Sequence, residues 1–143
     1  MRCYGSSRAS AASTTVRGPM LAAASGRPLW VVEVGVFNTT TTGFVAELQR
    51  VSALGTATGS VTEQAEDPDI TPVGTVTTGH SADATLTGGP YERASIPAAI
   101  GGAMIWTFGG RGLKIPAGTA TGMLITCPTG TGQVFDFYFV WEE

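Results

Sequence analysis

Charge is scarce in this sequence. Asp, Glu, Lys and Arg together make up 13% of its 143 residues, about half the usual share. Histidine occurs once, at His80, and cysteine twice, at Cys3 and Cys127. Two cysteines so far apart form no CxxC pair and have no metal-ligand spacing. The expectation is therefore two free thiols, with Cys127 buried as a small apolar residue. No apolar run approaches the roughly 18 residues of a membrane helix, and no targeting segment is read at the start. With few Lys and Arg, a net charge of −3 and a pI near 5.0, direct nucleic-acid binding is not expected, because affinity for phosphates needs clustered cations.

Small residues, Thr and β-formers take the place of charge. Hydrophobic residues reach 43%, and a chain of this length can bury a core without disulfide or metal staples. A surface of Thr, Ser and Gly suits a protein covered by other subunits, or an extracellular or particle-borne one.

Residues 1–12 are small and polar without apolar periodicity, which predicts a flexible basic arm ahead of a domain spanning 13–143. The arginines Arg2, Arg8, Arg17 and Arg27 all precede the first acid, Glu33. They are the candidate docking residues, a basic arm on an acidic body. A first strand is expected between Thr14 and Ala24, broken near Gly18-Pro19. Leu29–Phe37 is the clearest strand. Trp30, Val32, Val34 and Val36 fall on one face, and the other is also largely apolar, so the strand is expected to be central. Phe44–Val51 reads as its return partner in a β-hairpin. Further short strands are expected over 60–62, 74–78, 84–87, 91–96, 103–108, 113–115 and 123–127. A long final strand over 133–141 carries Phe135, Phe137, Phe139 and Trp141 on one face. Many short strands and no amphipathic helix predict an antiparallel all-β sandwich of jelly-roll type.

Chemistry is hard to find. Gly79-His80-Ser81-Ala82-Asp83 groups Ser, His and Asp within one expected surface loop, whereas a triad needs members converging from different parts of a fold. Glu63, Glu66, Asp67 and Asp69 lack the spacing of a calcium loop. Glu47 and Asp136 lie in strands, where an isolated acid faces solvent or pairs with an arginine such as Arg50. Gly109-Gly110-Arg111-Gly112 lacks the Lys-Ser/Thr of a phosphate loop. Asn38-Thr39-Thr40 fits a glycosylation sequon. Trp30, Trp106 and Trp141 are expected in the core or a subunit interface rather than on a sugar platform. No catalytic residue, cofactor or metal ligand is assigned, and an enzyme is not expected.

Several phrases are similar to those of small β-rich virion proteins of tailed bacteriophages of actinobacteria. They are Val36-Phe37-Asn38-Thr39-Thr40-Thr41, Ile105-Trp106-Thr107-Phe108-Gly109-Gly110-Arg111-Gly112-Leu113, Ile115-Pro116-Ala117-Gly118-Thr119 and Gly130-Thr131-Gly132-Gln133-Val134 with Phe139-Val140-Trp141-Glu142. The resemblance covers residues 28–143. It implies a capsid decoration or minor capsid protein on the outside of the shell. Such a protein would bind the major capsid protein, associate with itself as a trimer, and touch neither membrane nor nucleic acid. A tail, neck or fibre component that binds host-surface carbohydrate is the alternative.

Overall fold

The computed structural model describes residues 1–12 and 16–143. Thirteen strands occupy these residues: β1 (Arg2–Ala12), β2 (Met20–Ala22), β3 (Leu29–Asn38), β4 (Phe44–Ala53), β5 (Thr56–Ser60), β6 (Gln64–Ala65), β7 (Thr75–Ala82), β8 (Thr85–Leu86), β9 (Glu92–Ile96), β10 (Ala103–Thr107), β11 (Leu113–Ile115), β12 (Gly122–Thr126) and β13 (Thr131–Glu142). No helix occurs among them, so none is present that could cross a membrane. The strands form two antiparallel sheets packed face to face. Sheet 1 runs β10-β3-β13-β1-β6, with β11 also on β3. Sheet 2 runs β5-β7-β2-β12-β4-β8, with β9 also on β4. The expected all-β sandwich is therefore the fold.

The alternation in β13 explains the core. Phe135, Phe137, Phe139 and Trp141 are all buried and face inward in one line. Successive phenyl rings in that line sit 6.4 and 6.0 Å apart, within the range of favourable ring pairs. From sheet 2 they meet Phe44, Ala46, Leu48, Met123, Ile125 and Val76, in the same buried cluster. Each large side chain buried this way contributes about 1.5–3 kcal/mol.

Three expectations change. Residues 1–12 are not a loose arm. Arg2 to Ser10 pair residue for residue with Glu142 to Val134, and Ala12 pairs with Thr131 after a register break. The strand escapes a hydrophobicity reading because its inward positions are small: Cys3, Gly5, Ser7, Ala9 and Ala11. They lie beside Trp141, Phe139, Phe137 and Phe135, so small residues make room for the neighbouring aromatics. A Cβ added at Gly5 would come within 2.7 Å of Val76 Cγ2. Thr14, where the first strand was expected to begin, and the start of the 13–143 domain lie outside the described residues.

The second change concerns the hairpin. β3 belongs to sheet 1 and β4 to sheet 2, so residues 39–43 form an arch between sheets. Among the described residues, no two strands consecutive in sequence are hydrogen-bonded neighbours. The third concerns faces. β3 is central, as expected, but a bulge at Val32 breaks its alternation: Val140 pairs with Glu33 and Trp141 with Val31. One extra residue reverses the side-chain phase beyond it. Leu29 and Val31 therefore face the core along with Val34 and Val36, while Trp30 and Val32 are only half-buried. Trp30 instead packs under Arg111, whose guanidinium lies 4.7 Å from the ring centre.

Candidate functional site

The outer face of sheet 1 carries open apolar surface, with Tyr4 and Ile105 exposed on it. Register defines its rows. Ile105, Gly35, Tyr138 and Ser6 lie side by side, flanked by the row Thr107, Glu33, Val140 and Tyr4 and by the row Ala103, Phe37, Asp136 and Arg8. Tyr138 and Phe37 lean over Gly35, with ring centres 5.9 Å apart. A Cβ there would run into both rings, so Gly35 is the seat on which they pack. The Tyr138 hydroxyl donates to Glu33 Oε1 at 2.6 Å. Burial, and then the hydrogen bond to the Glu33 carboxylate and its charge, push this phenol well above its usual range.

Beside these rings lies an open concavity of about 710 Å³, bounded by Arg8, Phe37, Ile100, Asp136 and Tyr138 among others. Its rim is set by Asn38, which is buried. The Asn38 amide nitrogen donates to Thr42 O at 2.9 Å and Pro97 O at 2.8 Å, and its Oδ1 accepts from the Thr40 amide and hydroxyl. One side chain thus ties loop 39–43 to loop 97–102. The sequon reading at Asn38 fails on the same geometry: the nitrogen a glycan would occupy is enclosed and both its hydrogens are used.

The four candidate docking arginines do not all converge, although Arg8 and Arg17 line one shallow depression beside β7. Arg2 sits on the outer face of sheet 1, 3.4 Å from Glu142. Arg8 is on that face too and makes two bonds to Asp136, at 2.7 and 3.3 Å. Arg17 precedes β2 and meets Asp83 at 2.6 Å. Arg27 is exposed in the turn before β3. Three of the four positive charges are answered by acids distant in sequence, a pairing that a count along the chain does not reveal.

Other singled-out residues resolve individually. His80 lies in β7 rather than a surface loop. It is buried, with Nδ1 3.1 Å from Gly18 O. Burial lowers its pKa, against the opposing effect of that bond. Asp83 is held by Arg17 and Ser81 is exposed, so the three do not form a relay. Glu63 accepts the Val76 amide, and Asp67 accepts the Asp69 amide in a local turn. Among the described residues, no three His, Cys, Asp or Glu side chains group as metal ligands. Glu47 pairs with Arg93, not Arg50. Arg50 donates to Lys114 O and stacks on Tyr91, bridging the sheets. Trp106 and Trp141 are core residues, so the three tryptophans form no platform. Cys3 and Cys127 are both free and buried.

The concavity was not foreseen from sequence. Its only signal was the surplus of apolar residues on the second face of β3 and β13. Comparison with family models, with curated proteins and with solved structures finds no match for this chain.

Proposed function

We propose that the chain is a structural component of a bacteriophage virion: a capsid decoration or minor capsid protein that binds the assembled major capsid protein and bridges its subunits from outside. The observation that carries this reading is the uncovered outer face of sheet 1. Phe37, Ile100 and Tyr138 line a broad concavity there, Tyr4 and Ile105 are exposed on the same face, and open apolar surface of this kind marks contact sites. The phrase-level resemblance over residues 28–143 supports the same reading, as does a low-charge surface suited to close packing. A ligand that binds only the assembled shell stabilises it by mass action.

The test is to purify particles of the phage that encodes the chain, quantify the chain in them by mass spectrometry, and measure binding of recombinant protein to particles stripped of it. Stoichiometric recovery and saturable rebinding that raises the temperature of DNA release are expected. Absence from purified particles would overturn the proposal. Recovery only in tail fractions would move the chain to the tail, neck or fibre reading.

A further inference from the structure

The edges of the two sheets are not equally defended. At the ends of sheet 2, β5 is interrupted by a register break at Thr56/Ala57 and by Gly59 in the left-handed region at φ 69°. β8 is two residues long, and β9 carries Glu92 and Arg93. In sheet 1, β6 is two residues long. Bulges, shortness and charge are the devices that blunt an edge. β10 has none of them: Ala103-Met104-Ile105-Trp106-Thr107 is five residues without charge, proline or glycine.

The hydrogen-bond phase of β10 follows from its flanks. Asn38 N donates to Gly102 O, and Phe108 N donates to Val32 O. Both pairs are in register with β3, so the even-numbered residues bond inward to β3. In an antiparallel ladder the alternate residues point the other way. The N–H and C=O groups of Ala103, Ile105 and Thr107 therefore face outward, and no partner for them exists among the described residues. Ile105, between them, is 49% exposed.

We infer that β10 pairs antiparallel with β10 of a second copy of this chain, about a two-fold axis at Ile105, joining the two copies of sheet 1 into one continuous sheet. Three features select a second copy as the occupant. A two-fold axis makes a strand antiparallel to itself, the pairing used throughout both sheets. Self-pairing opposes only residues of this same strand, which carries no charge, so no like charges meet across the axis as they would for a strand of one charge sign. Centring on Ile105 places the exposed Ile105 pair between Ala103–Thr107 pairs, so a large side chain has small neighbours. All three outward residues are then satisfied, with about six hydrogen bonds between copies. The inference does not rest on the virion reading, and it gives a two-fold contact rather than the expected trimer.

Sedimentation velocity of the purified full chain from about 1 µM to 1 mM, the range for a short interface, should show a monomer–dimer equilibrium. Ile105→Lys places two like charges across the axis and should weaken dimerisation at least about tenfold, with unchanged circular dichroism. Thr56→Lys on β5 should not alter it. Oxidation of Ile105→Cys should give a covalent dimer, because directly opposed residues lie about 5.5 Å apart; Ala103→Cys alone should not. The native thiols are buried and do not compete. A chain monomeric to 1 mM, or an oligomer indifferent to Ile105→Lys, would overturn the inference. Such a result would leave particle binding, measured separately, untouched.

Discussion

Sheet 1 and sheet 2 share one core but treat their outer faces differently. Behind sheet 2, Met20, Ala22, Val51, Ala84 and Leu124 form a second buried cluster, roofed by Val16, Leu54 and Leu86. Beside it lies a closed polar network. Glu47 holds Arg93, Gln49 Nε2 donates to Glu47 Oε2 at 2.8 Å and to Thr126 Oγ1 at 3.1 Å, and all but Arg93 are buried. Sheet 1 has no such roof. Its outer side chains are half-buried rings, exposed ion pairs and Ile105. A sandwich of this size covers one outer face with its own loops and leaves the other to whatever it meets. Contact function is therefore expected on sheet 1.

The largest expected effect tests the place of β1 in that sheet. Deleting residues 1–12 removes one of the two partners of the aromatic strand β13, so the truncated chain should fail to fold and should aggregate along the bared edge. A soluble truncated protein with native near-UV circular dichroism would show that β1 is dispensable.

Next come single side chains. Phe137→Ala, between the sheets, should cost about 3–5 kcal/mol in urea unfolding. Leu124→Ala, behind sheet 2, should cost about 2–5 kcal/mol, because that outer face is itself a core. Ile105→Ala, on the outer face of sheet 1, should cost less than about 0.5 kcal/mol at low micromolar concentration. Equal losses at Leu124 and Ile105 would erase the contrast between the faces.

A smaller effect is pH-dependent. Burial pushes the thiols of Cys3 and Cys127 from 9.0 up to about 12, helped by Glu143 at Cys3 and by Glu47 at Cys127. The folded chain then keeps protons that the unfolded chain releases. This contribution is fully present below about pH 9 and is lost as pH rises toward 12. The urea midpoint should fall over that window, and Cys127→Ala should flatten the fall. A modest effect is also expected on sheet 1: Tyr138→Phe removes the bond to Glu33 and should cost about 0.5–1.5 kcal/mol, detectable as a drop in urea midpoint at neutral pH.

Legibility in the sequence followed hydrophobic contrast. Val34, Phe44, Leu48, Ile125, Phe137 and Phe139 stand out by alternation, and all are buried. Ile105 alternates as clearly but faces outward, because its neighbour Trp106 takes the core position. β1 was invisible because its inward residues are small, and their value lies in the aromatics beside them on a strand more than a hundred positions away. The rings and concavity of the candidate face were equally hidden, since Phe37, Asp136 and Arg8 become neighbours only through register.

What the sequence determined by itself is therefore the all-β class, the positions of most strands and the aromatic side of β13. These rest on local periodicity, a property of a few adjacent residues. Pairing was decided only by tertiary structure. Which sheet takes β3 or β4, where the bulge at Val32 turns Trp30 outward, which acids answer Arg2, Arg8 and Arg17, and which edge stays open all depend on contacts between distant segments. Every ladder among the described residues joins strands that are not consecutive, and no local pattern encodes such a choice, because it is made by the fit of whole faces against one another.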